Sequence, residues 1–144
     1  MDTAPLLTGP LLRDRAALAL GLPLPAALGI RLVDEGDPAG GAVLEVGDLA
    51  ANGAGGAHAG ALSVLLEVAG YLALAPALTT AEHAVTHSAA TTFVSVAAGG
   101  RSVRASGVLD RRTSRLAFVG VTAHVGDRVV ARSTLVKSVV PFTG

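Results

Sequence analysis

The stretch NGAGGAHAGALSVLLEVAGYLA, residues 52–73, begins as a glycine-rich loop and becomes an almost continuously apolar segment. Pro76 follows shortly afterwards, and a proline disfavours helical geometry at the residue before it. The segment therefore predicts one long helix over Gly60–Ala75, which must be covered on most sides because it is apolar nearly all round. A single charged side chain, Glu67, lies in the middle of this helix.

After this helix the apolar residues change to a period of two, which is typical of β-strands. Alternation predicts strands over Gly29–Asp34, 42–46, Thr86–Ala97, 103–109, Arg115–Val125 and Arg128–Val139. The first two would pair as a hairpin across EGDPAGG, and Gly126 with Asp127 predicts a tight turn between the last two. This order predicts an α+β fold, an antiparallel sheet of about six strands wrapped around one long central helix.

Length and composition limit the classes of protein. A chain of 144 residues suggests a single domain over 1–144, with residues 1–25 as an N-terminal helical extension that contains a helix over Pro10–Leu20. Eleven basic and eleven acidic residues give a net charge of zero, which argues against a nucleic-acid partner. There is no cysteine, so thiolate catalysis and disulfides are excluded.

The apolar N-terminal run is too short and too interrupted for a membrane span, and it lacks the basic start of a signal peptide. A cytoplasmic location without a membrane partner is therefore expected. Hydrophobic residues make up 51% of the chain and charged residues 15%. Either the core is large, or another subunit covers part of the apolar surface.

Ser63, Glu67 and Tyr71 are spaced four residues apart, so they form one stripe on the helix. One interpretation is an ordinary solvent-facing stripe. The other is a carboxylate at the wall of a pocket, where desolvation suits such a group to acid–base or nucleophilic chemistry. A solvent face of this length usually carries several charges, and this one carries a single charge, which favours the pocket.

The start of the same helix has the features of a site for negative charge. Glycines at positions 53, 55 and 56 let backbone segments approach closely. The free N–H groups of the first turn, near His58, Ala59 and Gly60, could hold the oxyanion of a thioester or ester under attack. The loop lacks the GK[ST] sequence of a phosphate-binding P-loop.

The spacing of Asn52, His58-Ala59-Gly60 and Glu67 resembles that of hotdog-fold acyl-CoA thioesterases of the PaaI-like branch, in the 4-hydroxybenzoyl-CoA thioesterase superfamily. The resemblance covers roughly residues 26–140. Two positions depart from the pattern: Ala59 stands where the family usually has glycine, and Glu67 where many members of the branch have aspartate. Glutamate is more similar to the aryl-CoA and hydroxynaphthoyl-CoA thioesterases, which often carry glutamine where Asn52 stands.

The resemblance implies hydrolysis of an aryl- or medium-chain acyl-CoA thioester without a cofactor or a metal. Glu67 would be the general base or the nucleophile, and the N–H of Ala59 would polarise the thioester carbonyl. Asn52 and His58 would orient substrate or water, assisted by Thr86 in the following strand. Because the carboxylate and the oxyanion donor commonly come from opposite subunits in this family, an obligate homodimer is implied, with a dimer of dimers as the larger assembly.

Further side chains are candidates for substrate contact. They are Gly60, Ser63 and Tyr71 on the helix, and Arg101, Arg111 and Arg112 at predicted turns. Guanidinium groups suit the phosphates of coenzyme A, although arginines at turns are also commonly solvated. A metal is the less favoured interpretation of His83 and His87, since they fall in loop and strand without an apparent third ligand. His124 is assigned a surface or packing role.

Two other functions stay open. A hotdog hydratase or dehydratase also pairs a histidine with a carboxylate, but in a different local motif that this chain lacks. A non-catalytic protein that binds acyl thioesters is the third possibility.

Overall fold

The computed structural model describes residues 3–144, so residues 1 and 2 of the predicted N-terminal extension lie outside the described part. The helices are α1 (Gly9–Leu20), α2 (Pro23–Ala27) and α3 (Ala59–Leu74), with 3₁₀ turns at Pro38–Gly40 and Ala75–Ala77. The strands are β1 (Arg31–Leu32), β2 (Ala42–Glu45), β3 (Glu82–Phe93), β4 (Ser102–Arg112), β5 (Leu116–Val125) and β6 (Arg128–Pro141). Over residues 3–144 they form a six-stranded sheet in the order β1-β2-β4-β5-β6-β3, and each neighbouring pair is antiparallel.

Helix α3 forms the centre of the core. Leu65, Leu66, Leu72 and Leu74 are 0–1% exposed and pack against the inward side chains of the sheet. An 18-residue window of Ala59–Ala77 has a mean hydropathy of 1.6, which would be apolar enough to cross a membrane, but 61% of it is buried inside the domain. A buried core helix passes the same test, so the sheet that surrounds α3 explains its apolar composition.

The predicted α+β architecture, an antiparallel sheet around one long helix, is confirmed. The helix lies within one residue of its predicted bounds. Strand β1 covers only Arg31–Leu32, which is much shorter than the predicted Gly29–Asp34. The chain turns directly after it, where the N–H of Asp37 donates to the carbonyl of Asp34.

Strand β3 also differs from its prediction, since it begins at Glu82 and ends at Phe93 rather than running from Thr86 to Ala97. Its first residues pair with the C-terminal end of β6, a partner that local alternation does not reveal. At the other end, the N–H groups of Val94 and Ser95 both donate to the carbonyl of Val130, where the chain leaves the ladder.

Arg15 ties α1 to the rest of the domain. Its side chain is buried and donates to the carbonyls of Glu82 (2.6 Å) and Thr80 (3.2 Å) and to the hydroxyl of Tyr71 (3.3 Å). Its guanidinium carbon also lies 3.7 Å from the ring centroid of Phe142, a cation–π contact. One buried cation therefore joins the N-terminal helix, the central helix and the C-terminal segment.

His83 extends this cluster and makes the stability depend on pH. Its Nδ1 lies 3.0 Å from the Tyr71 hydroxyl. Burial lowers the pKa of His83 below its ordinary 6.5, and the charges of Arg15 and Lys137 lower it further. The unfolded chain therefore binds a proton here more readily than the folded domain does, so protonation favours unfolding.

We expect the melting temperature to fall as the pH is lowered from 7 through 6.5 and towards the depressed pKa of His83. The groups that face this ring are Tyr71 of α3, Arg15 of α1 and Lys137 of β6. The variant His83→Asn should lose this part of the pH slope, and His87→Asn, at an exposed position, should retain it. Thermal melts between pH 5 and 7.5 measure both slopes, and equal slopes in His83→Asn and wild type would contradict the assignment.

Candidate functional site

Glu67 lies in a cluster of three polar side chains where α3 faces strands β3 and β6. The Thr86 hydroxyl donates a short hydrogen bond to Oε2 of Glu67. The Lys137 ammonium donates to the same Oε2 (3.3 Å) and to Oγ1 of Thr86 (2.9 Å). The Glu67 side chain is 34% exposed, so the carboxylate is anchored on its inner side and reaches solvent on the other.

The sheet register brings this cluster together. Thr86 of β3 is paired directly with Lys137 of β6. A bulge at His87 shifts the register immediately after Thr86. Residues 131, 133, 135 and 137 of β6 are all buried, which places Lys137 on the helix side of the sheet.

Sequence reasoning missed Lys137, although the signal was present. It is the only lysine of the chain, beside ten arginines. It also stands at an inward position of a strand that alternates regularly. Burial lowers the pKa of the Lys137 ammonium, and the charge and hydrogen bond of Glu67 oppose this effect. Without its carboxylate partner, a buried cation of this kind would destabilise the folded protein.

The start of α3 leaves one backbone donor available close to the glycine-rich loop. His58 caps the helix, and its Nδ1 accepts the N–H of Gly60 at 2.8 Å. The N–H of His58 itself donates to the carbonyl of Ala50 at 2.7 Å. No acceptor within residues 3–144 is bonded to the N–H of Ala59. Of the three N–H groups singled out in the sequence, Ala59 therefore presents the one that is free.

Asn52 shapes the loop that leads to this helix. Its Oδ1 accepts the N–H groups of Ala54 (2.7 Å) and Gly56 (3.1 Å). Gly53 and Gly55 adopt φ values of +80° and +88°, which glycine tolerates without strain. The Asn52 side chain is thus engaged inside the loop in the isolated chain, and its role in orienting substrate or water stays a prediction.

Glu67 and the free N–H of Ala59 are far apart in one chain. They are separated by eight positions along α3, which corresponds to about 12 Å at 1.5 Å per residue. A thioester carbonyl cannot contact both groups at this distance. Within one subunit, therefore, the structure does not bring the predicted base and the predicted oxyanion donor together.

Two of the three residues in the polar stripe of α3, Glu67 and Tyr71, contact side chains of strand β3. Tyr71 is 6% exposed and its hydroxyl is bonded to His83 and Arg15, one helical turn away from Glu67. The Ser63 hydroxyl donates to the carbonyl of Ala59 (2.8 Å). Only the middle residue of the stripe carries both a charge and a path to solvent.

The predicted phosphate-binding arginines differ in their surroundings. The side chains of Arg101 and Arg111 lie at exposed positions. Arg112 is bonded to both carboxylate oxygens of Glu82, at 3.0 and 2.5 Å, and to the carbonyl of Ala77. This pairing holds the pKa of Glu82 below its usual value. Arg112 is thus committed to a contact inside the domain.

The histidines of β3 do not converge. His83 contacts Tyr71, while His87 lies 3.4 Å from the hydroxyl of Ser138. Among residues 3–144, no three histidine, cysteine or acidic side chains gather as a metal site would require. His124 is half-buried and lines an outer-face cavity of about 340 Å³ with Arg104 and Asp127.

Comparison with known proteins finds the same fold in solved structures, several of which are thioesterases. No family model matches the sequence, and no curated protein matches it significantly. A thioesterase from Haemophilus influenzae superposes with a TM-score of 0.80 at 17% identity, over 91% of this chain and 92% of the other. The Escherichia coli PaaI protein from the phenylacetic acid degradation operon gives 0.75 at 17% identity, over 92% and 95%.

A Bacillus halodurans protein whose crystal structure contains CoA gives a TM-score of 0.74 at 20% identity, over 89% of this chain and 85% of the other. These similarities establish the fold: the chain has the hotdog architecture of those thioesterases. The low identities do not transfer their activities.

Proposed function

We propose that this protein is an acyl-CoA thioesterase that hydrolyses an aryl- or medium-chain acyl-CoA to the free acid and CoA. The observation that carries the proposal is the Glu67 carboxylate, anchored by Thr86 and Lys137 and open to solvent on its other side. The thioesterases of the same fold support it, as does the Asn52, His58 and Glu67 spacing.

The chemistry needs one base and one oxyanion site. Acting as a general base, ionised Glu67 takes a proton from water while the water oxygen attacks the carbonyl carbon of the thioester. The carbonyl oxygen becomes an oxyanion, which the N–H of Ala59 and the α3 N-terminus stabilise. The C–S bond then breaks, and the proton on Glu67 passes to the CoA sulfur. Direct attack by Glu67 through an acyl anhydride is the alternative route.

A homodimer would supply both groups to one substrate. Because Glu67 and Ala59 are about 12 Å apart along one helix, the oxyanion donor at each site would be Ala59 of the partner subunit. Strand β3 offers the surface for this association. It lies at an edge of the sheet and has twelve residues. Val85 and Phe93 are about half exposed on it, and Val94 and Val96 follow. A long edge strand leaves backbone N–H and C=O groups unpaired, which makes it a site for pairing with another chain.

We expect wild-type protein to sediment as a dimer, or as a dimer of dimers, at micromolar concentration. Val85→Asp places a charge on the β3 edge and should shift the protein towards monomer. The matched control is Leu18→Asp, which changes an exposed leucine of α1 (56% against 46% for Val85) that is not part of β3. A wild type that is monomeric at this concentration would contradict both the dimer and the shared site.

Two exposed arginines, one at each end of β4, are available to contact the coenzyme A part of the substrate. Exposed Arg101 and Arg111 are the candidates for contact with coenzyme A phosphates, which guanidinium groups bind well. Ala59 carries a methyl group where the resembling family usually has glycine, and this methyl narrows the approach to the oxyanion donor. Gly60, next to it, has its N–H held by His58.

Product analysis tests the proposed reaction type. Purified protein is incubated with aryl-, medium-chain and enoyl-CoA thioesters, and the products are identified by mass spectrometry. The proposal predicts free acid and CoA. A hydratase would instead convert the enoyl-CoA to a hydroxyacyl-CoA without release of thiol. A non-catalytic binding protein would leave every thioester intact.

A further inference from the structure

The single lysine of the chain is buried beside the proposed catalytic carboxylate. Lys137 is 3% exposed, and its ammonium contacts Glu67 and Thr86. A lysine is among the residues most rarely buried unless it is paired. An apolar side chain of similar length would fill the same space without the desolvation of a charge. The packing of the core therefore does not explain why a cation stands here.

The hydrogen bonds of the cluster are unevenly distributed over the carboxylate. Thr86 and Lys137 both donate to Oε2 of Glu67. No hydrogen bond from residues 3–144 reaches Oε1. Because Lys137 also donates to Oγ1 of Thr86, it directs the hydroxyl proton of Thr86 towards Glu67. One carboxylate oxygen is thus fixed and the other is left for water or substrate.

We propose that Lys137 is a positioning residue of this site, which holds Oε2 of Glu67 directly and through Thr86 and so leaves Oε1 oriented for reaction with water. The inference rests on the proposed function for its catalytic consequence, but the ion pair itself is tested without activity. The other titratable groups around the cluster are Tyr71 of α3, His83 and His87 of β3, and Arg15 of α1, beyond Tyr71.

The first experiment uses the fact that the chain has one lysine. Protein labelled with ¹⁵N-lysine gives a single side-chain amine resonance, whose pH titration reports on Lys137 alone. Burial lowers the pKa of Lys137 and Glu67 counteracts this. Glu67→Gln should therefore move the titration midpoint to lower pH than in wild type, and Glu45→Gln should leave it unchanged. An identical midpoint in Glu67→Gln and wild type would overturn the proposal.

The second experiment measures kcat and KM separately for Lys137→Met and Lys137→Arg. Methionine keeps the bulk and removes the charge, so kcat/KM should fall by roughly 10²-fold, the scale for a displaced catalytic group. The loss should appear in kcat, with KM changed much less, because a misplaced base acts in the transition state rather than in binding. Lys137→Arg keeps the charge and a hydrogen-bond donor and should recover most of the lost kcat.

A purely structural lysine predicts a different result, since a folded Lys137→Met would then retain the wild-type kcat and KM, and this outcome would overturn the proposal. Circular dichroism identifies a variant that does not fold, in which case the titration of wild type and Glu67→Gln decides. If wild type hydrolyses no thioester while the Lys137 midpoint still responds to Glu67→Gln, the proposed function fails and the ion-pair role of Lys137 is supported.

Discussion

Replacing Glu67 with glutamine is expected to reduce kcat for thioester hydrolysis by about 10²–10⁴-fold, the usual contribution of a positioned acid–base group. Glutamine has nearly the same volume and can still accept from Thr86, so the local geometry is retained while the basic oxygen is lost. KM should change much less, because the substituted group acts in the transition state rather than in binding. Steady-state thiol release measures both parameters.

The same variant is expected to be less stable than wild type. The loss of a desolvated carboxylate that had no partner would leave the melting temperature unchanged or raise it, because such a group costs stability. The ion pair reverses this expectation, because Glu67→Gln leaves the buried Lys137 ammonium without its counter-charge. A loss of about 1–3 kcal/mol of unfolding free energy follows. A melting temperature at or above that of wild type would contradict the ion pair.

Glu45→Gln is the matched control for both effects. Glu45 pairs with Arg31 and accepts from Ser102 on the surface, where its side chain is 51% exposed. These contacts hold its pKa below the usual value, chiefly through the Ser102 hydrogen bond. Since exposed pairs of this kind contribute little, Glu45→Gln should retain both the activity and a melting temperature close to wild type.

Among glycine-to-alanine changes at positions with positive φ, Gly41→Ala is expected to cause the largest loss of stability. Gly41 has φ of +117°, and an added Cβ would lie 2.2 Å from the carbonyl oxygen of Ala105. The clash is with the backbone of β4, next to the β2–β4 ladder, so no side-chain rotation relieves it. Backbone strain and overpacking together should cost about 2–6 kcal/mol. Urea denaturation monitored by circular dichroism measures the loss.

Gly29→Ala separates strain from clash in that experiment. Gly29 has φ of +70°, and a Cβ there would meet nothing within 4 Å. Only the left-handed conformation is penalised, which costs about 1–2 kcal/mol. If Gly41→Ala were no more destabilising than Gly29→Ala, the close packing of residue 41 against β4 would be contradicted.

Local sequence signals predicted most of the fold because helix and strand patterns depend on nearest neighbours. The apolar run ending before Pro76 defined α3, and period-two alternation defined β4, β5 and β6. The pattern failed where pairing is long-range. Strand β3 begins at Glu82 because the C-terminal end of β6 lies beside it, and the alternation of β3 alone contains no trace of that partner.

The candidate site was predictable in part for the same reason. Glu67 is conspicuous as a lone carboxylate in an apolar helix, and the helix start identified Ala59. Tyr71 shares the face of Glu67 by helical spacing, but Arg15, 56 residues away, covers it. The inward position of Lys137 could be read from β6. The contact between Lys137 and Glu67 depends on the β3–β6 register and on the position of α3 across the sheet.

The central claim, that this hotdog domain hydrolyses acyl-CoA thioesters, is tested most directly by thiol release from purified wild-type protein across a panel of aryl- and medium-chain acyl-CoA thioesters. The account predicts that at least one member is hydrolysed with kcat/KM of about 10⁴ M⁻¹ s⁻¹ or more, the lower end of the range for enzymes acting on their substrates. Rates indistinguishable from buffer for every member of the panel would contradict it.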